Sequence, residues 1–60
     1  MWSISSKEVV EVMENLQKKH RLEEIAFFMD KSYATVHKWS KGTRLPDKGD
    51  YELLKRMEVK

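Results

Sequence analysis

Cysteine, long apolar runs and internal repeats are all absent from this 60-residue chain. Without cysteine no disulfide can form, and the composition is compatible with a reducing cytosol. No apolar run approaches the roughly 18 residues that a membrane-spanning helix needs. The start, Met1-Trp2-Ser3-Ile4, has neither the basic segment nor the apolar core of a signal peptide. We therefore expect a cytoplasmic protein without a membrane segment.

The length of the chain bounds its chemistry. We expect one domain, residues 1–60, which buries only roughly 60% of the surface that its unfolded form exposes. An enzyme's cleft would compete with the core for these residues, so we expect no enzyme, no cofactor and no small-molecule ligand. His20 and His37 have no cysteine or suitably spaced carboxylate as a partner, so we expect no metal site.

Charge is unevenly distributed, although the net charge is only +2. Between residues 7 and 24 the acidic and basic side chains nearly cancel. Between residues 31 and 44 there is no acidic residue, and the basic ones are Lys31, Lys38, Lys41 and Arg44. A basic segment of this kind is typical of nucleic-acid binding, whereas an ordinary solvated surface mixes the two signs.

Hydrophobic spacing predicts a small all-α fold of four helices. The first helix begins with a capping-box pattern at Ser5 and Glu8 and continues to about Lys19, where its last turn is basic. Two short helices follow, roughly at residues 22–29 and 32–41. The predicted core consists of Val9, Met13, Leu16, Ile25, Ala26, Met29, Val36, Trp39, Leu45, Leu54 and Met57.

The connection to the fourth helix has signals of its own. Gly42 is a natural helix stop, and Pro46 keeps the residue before it out of the helical region, which forces an extended exit. Asp47 or Asp50 can then cap the last helix. The apolar stripe of that helix is Tyr51, Leu53, Leu54 and Met57.

Residues 22–41 are the most informative segment. Their first helix has one apolar stripe at Leu22, Ile25, Ala26 and Met29. Ala26 is small enough to let a second helix cross closely. Asp30 stands at a sharp reversal that needs a residue tolerant of positive φ, and Ser32 can cap the next helix. That helix has only Val36 and Trp39 on its apolar face, which leaves its polar face free to act outside the core.

Together with the exit through Pro46, this segment resembles the DNA-binding domain of phage repressors and Cro proteins, the lambda repressor-like helix-turn-helix family. The matching residues are Ala26, Ser32, Val36, Trp39, Gly42, Arg44 and Pro46. Asp30 stands where the family most often has glycine, and Lys31 where it has a small aliphatic residue. The resemblance implies a four-helix domain with a short N-terminal arm and a helix-turn-helix at residues 22–41.

The resemblance also implies a partner, double-stranded DNA, with the second motif helix in the major groove. The side chains that would face the bases are Ser32, Tyr33, Ala34, His37 and Lys38. Those that would hold backbone phosphates are Lys41, Thr43 and Arg44. We expect a sequence-specific transcriptional regulator, a small repressor of the Cro kind, encoded by a phage or mobile element or associated with the bacterial nucleoid. A protein-binding adapter such as an antitoxin and an architectural or recombination accessory factor stay open as alternatives.

A module of this size buries little area on DNA, so we expect a homodimer on an inverted-repeat operator, weak or absent in free solution. The candidate protein interface is Trp2, Phe27, Tyr51 and Leu53. Two interpretations of Phe27 and Phe28 are open. Either one ring completes the core while the other packs against the arm at residues 2–4, or Phe27 is exposed and anchors a protein partner.

Overall fold

The computed structural model describes residues 2–59, so Met1 and Lys60, the ends of the predicted domain, lie outside the described residues. Within that range the chain forms four helices and no strand. None of these helices combines the length and the apolar character needed to span a bilayer. The prediction of a small all-α fold of four helices is confirmed, and the helices are α1 (Ser6–Gln17), α2 (Leu22–Met29), α3 (Tyr33–Lys41) and α4 (Lys48–Val59).

Short-range hydrogen bonds set the two ends of α1. Ser5 Oγ accepts the backbone N–H three residues further on at 3.3 Å, as predicted for the helix start. The predicted end near Lys19 is wrong, because α1 ends at Gln17 and its last turn contains no basic residue. The N–H groups of Lys19 and His20 both donate to the carbonyl of Leu16, at 3.1 and 2.8 Å. These bonds close the helix in a tight final turn, and the basic residues fall beyond it.

The core lies where α1 packs against α3 and α4, and where α2 packs against α3. Its buried side chains are Val9, Val12, Met13, Leu16, Ile25, Ala26, Met29, Val36, Trp39 and Leu54. The prediction omitted Val12 and wrongly included Leu45, which is 43% exposed, while Met57 packs only half-buried at the core's edge. Pro46, not Leu45, is buried, because neighbouring side chains of an extended segment point to opposite sides.

The N-terminal arm, residues 2–5, and the start of α4 complete the fold. Ile4 packs half-buried against the core, and the Trp2 ring lies with its centroid 5.7 Å from that of Tyr51. Asp47 Oδ1 accepts the N–H of Asp50 at 2.9 Å. Of the two carboxylates predicted as caps for α4, Asp47 is therefore the one that acts.

Candidate nucleic-acid interface

A three-residue turn joins α2 to α3 and sets the direction in which α3 leaves it. Asp30 adopts the left-handed conformation with φ 57° and ψ 43°, as predicted from its position at the reversal. The N–H of Lys31 donates to the carbonyl of Ala26 at 2.9 Å, which satisfies the end of α2. Ser32 Oγ accepts the N–H of Thr35 at 3.2 Å, so the predicted N-cap of α3 is confirmed. Both helix ends are satisfied within the turn itself.

One side of α3 is buried and the opposite side is exposed. Val36 and Trp39 are its buried residues, with 0% and 2% of their surface accessible, which confirms Trp39 as a core residue. Tyr33 is exposed and stacks on His37, with ring centroids 6.0 Å apart and the ring planes at 22°. The remaining exposed positions follow a helical stripe at Ala34, His37, Lys38 and Lys41. The side chains predicted to face bases from within α3 therefore share one accessible surface.

Ser32 stands apart from that surface because its hydroxyl holds the start of α3. In addition to its bond with the N–H of Thr35, its Oγ lies 2.9 Å from the hydroxyl of Thr35. A hydroxyl has one donor and two acceptor sites, so one site of Ser32 stays available to a base or phosphate. The sequence prediction missed Thr35, which is half-buried. The signal for it was a second hydroxyl three residues after the cap, within reach of the same oxygen.

The residues that follow α3 are also fixed by hydrogen bonds to the end of the helix. Gly42 adopts φ 76° and ψ 10°, as expected of a helix stop. The N–H of Thr43 donates to the carbonyl of Lys38 at 3.1 Å, and its hydroxyl donates to the same oxygen at 3.3 Å. Phosphate oxygens only accept hydrogen bonds, so the Thr43 hydroxyl must leave this carbonyl before it can hold a phosphate.

Three of the four cations in the basic segment keep an unopposed charge. Lys38, Lys41 and Arg44 are exposed, and none of them belongs to an ion pair formed within residues 2–59. Lys31 differs, because its Nζ lies 3.4 Å from Asp50 Oδ2. The charge of Lys31 is therefore partly neutralised by a carboxylate that α4 supplies from outside the segment.

The aromatic pair on α2 lies outside the core. Phe27 is 90% exposed and Phe28 is 55% exposed. The interpretation in which one ring completes the core is wrong, because Ile25 and Met29 take the buried side of this short helix. Of the other predicted interface residues, Trp2 and Tyr51 pack against each other, and Leu53 lies half-buried against the core.

Comparison of the chain with protein-family models, with curated proteins and with solved structures finds no significant match. A functional conclusion therefore depends on the residues and geometry described above. The features that bear on it are the short turn before α3, the exposed side of α3 and the unopposed cations at and beyond its C-terminal end.

Proposed function

We propose that this protein is a sequence-specific DNA-binding regulator whose α2 and α3 act as a helix-turn-helix of the lambda repressor-like kind. The observation that supports it most directly is the division of α3 into two sides. Val36 and Trp39 hold the helix on the core, while the polar side faces outward and leads into the basic exit. In this proposal the protein acts as a small repressor of the Cro type and binds an inverted-repeat operator as a homodimer.

The dimensions of α3 suit the major groove. An α-helix with its side chains is about 10–12 Å across, and the major groove of B-DNA is about 12 Å wide, so a helix such as α3 fits inside it. Lys38 can donate to guanine O6 or N7, and the methyl group of Ala34 can contact a thymine methyl. Tyr33 can donate or accept through its hydroxyl. Its stacking on His37 restricts both rings before binding, which lowers the entropic cost of ordering them on a base.

The cations beyond the recognition surface have a different role. Lys41 and Arg44 lie at and after the end of α3, where they would neutralise phosphates and fix the register of the helix in the groove. These contacts carry no sequence information, but they supply affinity that depends on salt. Thr43 joins them only if its hydroxyl leaves the carbonyl of Lys38.

Selection of sites from a pool of random DNA duplexes, followed by fluorescence anisotropy, tests the proposal. We expect an enriched inverted repeat that binds more tightly than random duplex. The logarithm of the affinity should fall with the logarithm of salt concentration with a slope of about −4 to −7, if roughly five to eight phosphates are neutralised by the dimer. Equal affinity for selected and random DNA would favour an architectural factor, and no binding at low salt would refute the DNA-binding role.

Three single substitutions separate the two kinds of contact. Lys38→Ala should cost about 1–3 kcal/mol per half-site on the preferred site and relax the preference at one base position in each half-site. Arg44→Ala should weaken preferred and random sequences alike and make the salt slope shallower by about two, because the dimer loses two phosphate contacts. Lys18→Ala is the control, because it also removes one exposed positive charge. Lys18 caps the C-terminal end of α1, whereas Gly42, at the end of α3, lies against Ser6 and Val10 in the N-terminal half of α1. If Lys18→Ala weakens binding as much as Lys38→Ala, the contact assignment is wrong.

A further inference from the structure

An apolar groove lies between the end of α2 and the second half of α4. Its apolar lining is Phe28, Leu53, Met57 and Val59, and its polar lining is Lys19, His20, Lys55 and Arg56, of which Lys55 is paired with Glu58. We call it the Phe28 groove. Val59 is 83% exposed and Phe28 is 55% exposed, so water covers much of this apolar surface in the isolated chain. Contiguous apolar surface on a small domain marks an interaction site more often than scattered apolar residues do.

A second, smaller hollow continues the Phe28 groove towards the start of α2. It is lined by Glu23, Glu24 and Phe27, and it shares His20, Phe28 and Met57 with the groove. Phe27, at 90% exposure, is the most exposed large apolar side chain that the structure describes. A projecting ring therefore lies directly beside an apolar recess.

The charged side chains of this face are also divided between the side of Phe27 and the Phe28 groove. Glu23 lies on the Phe27 side, whereas Lys19 and Arg56 lie beside the Phe28 groove. Glu24 is already engaged, since it accepts the N–H of Arg21 at 2.8 Å. Glu23, Lys19 and Arg56 are in neither of the two ion pairs formed among residues 2–59. The face thus offers a projection with a negative charge next to a recess with positive charges.

We infer that this face is a twofold interface between two copies of the chain, in which Phe27 of each copy enters the Phe28 groove of the other. A twofold axis makes every contact occur twice with the roles exchanged, so such a surface must be complementary to itself. Here the ring of one copy matches the groove of the other. Glu23 of one copy then lies towards Arg56 and Lys19 of the other.

Other candidate partners would match only part of this face. An acidic peptide would match Lys19 and Arg56 but would leave the Phe27 ring in water and meet Glu23 with like charge. Nucleic acid would meet the same repulsion at Glu23. A second copy is the occupant that matches the projection, the groove and both signs of charge together.

The size of the surface indicates a weak dimer. A buried aromatic side chain contributes about 150–250 Å². Two such rings with their grooves reach the low end of specific interfaces, below about 1,200 Å² in total, which is typical of transient contacts. We expect dissociation constants of about 0.1–1 mM in free solution. If the proposed function holds, adjacent half-sites on DNA would raise the effective concentration and complete the dimer.

Sedimentation velocity without DNA, up to about 1 mM protein, tests the inference. The apparent mass of the wild-type chain should rise with concentration from 7.2 kDa towards twice that value and no further. Phe27→Ser should weaken association by more than about 10-fold, because each dimer loses two rings. Leu45→Ser, which removes an exposed apolar side chain that lines neither the Phe28 groove nor the adjoining hollow, is the matched control and should associate like the wild type. Circular dichroism of each variant checks that it is folded.

A charge exchange tests the orientation of the two copies. Glu23→Arg alone and Arg56→Glu alone should each weaken association roughly 2- to 30-fold, and the double variant should restore it. A wild-type chain that stays at 7.2 kDa throughout, a Phe27→Ser variant that associates like the wild type, or growth beyond the dimer would each overturn the inference. These sedimentation measurements contain no DNA, so they test the interface separately from the proposed function. If the chain dimerises as described but the site selection finds no preferred DNA sequence, the proposed function is refuted and the interface is retained.

Discussion

Replacing Gly42 by alanine tests how the exit from α3 is held against α1. Gly42 has φ +76°, where a residue with a Cβ costs about 1–2 kcal/mol. The added Cβ would also lie 3.0 Å from Val10 Cγ2 and 3.4 Å from Ser6 Cβ. Val10 is β-branched and has little rotamer freedom in a helix, so its methyl group cannot move away cheaply.

The unfolded chain offsets part of this cost. Alanine reduces the conformational entropy of the unfolded state, which is worth about 0.4–1 kcal/mol in favour of the variant. With the steric contact to Val10 included, we expect Gly42→Ala to lower the free energy of unfolding by about 1–2 kcal/mol. For a domain of this size that lowers the Tm by about 5–15 °C. Thermal and urea unfolding followed by circular dichroism measure the loss.

Gly49→Ala is the matched control. Gly49 lies in the first turn of α4, and a Cβ there would meet only Asp47 Oδ1 at 3.7 Å, an ordinary contact. In a helix alanine is about 0.5–1 kcal/mol more stable than glycine, so the same substitution should raise the Tm by about 2–8 °C. If the two variants shift stability in the same direction and by the same amount, the account of Gly42 is refuted.

Two further predictions concern α4. Leu54→Ala should cost about 2–5 kcal/mol in urea unfolding, because Leu54 is the fully buried residue of this helix, whereas Leu53→Ala should cost less. Lys55 Nζ at 2.7 Å and Asn15 Nδ2 at 2.9 Å donate to the carboxylate of Glu58 and hold its pKa below the ordinary value of 4.5. The stability from this ionised carboxylate is therefore present above pH 4.5 and is lost as the pH falls through the lowered pKa. The difference in unfolding free energy between wild type and Glu58→Gln should be largest near neutral pH and vanish in acid; a constant difference would contradict the assignment.

The features that the sequence predicted correctly depend on neighbours a few residues away. Asp30, Ser32 and Gly42 act within a single helix turn, so their roles follow from position and residue type alone. The spacing of Val36 and Trp39 likewise predicts which side of α3 is buried. These local signals were sufficient for the helix order and for the exposed side of the candidate recognition helix.

The early end of α1 is a local effect, but most other features that the sequence did not predict depend on how separate segments meet. The pairing of Lys31 with Asp50 follows from where α4 packs, and no spacing rule relates these two residues. Phe28 is apolar enough for a core, but it stays 55% exposed because none of the helices within residues 2–59 covers the outer side of α2. Leu45 and Pro46 are both apolar neighbours, and only the path of the extended exit decides which of them is buried.

Val36 and Trp39 are the buried residues that attach α3 to the core, and this affects which substitutions the sequence of α3 can accept. Exposed side chains that take no part in caps or packing are usually replaceable within about ±0.5 kcal/mol of stability. Ala34 and Lys38 are such positions, so their chemistry can vary almost independently of folding. Chains with the same interior could therefore diverge into molecules that discriminate between different partners, with no compensating mutation inside the domain.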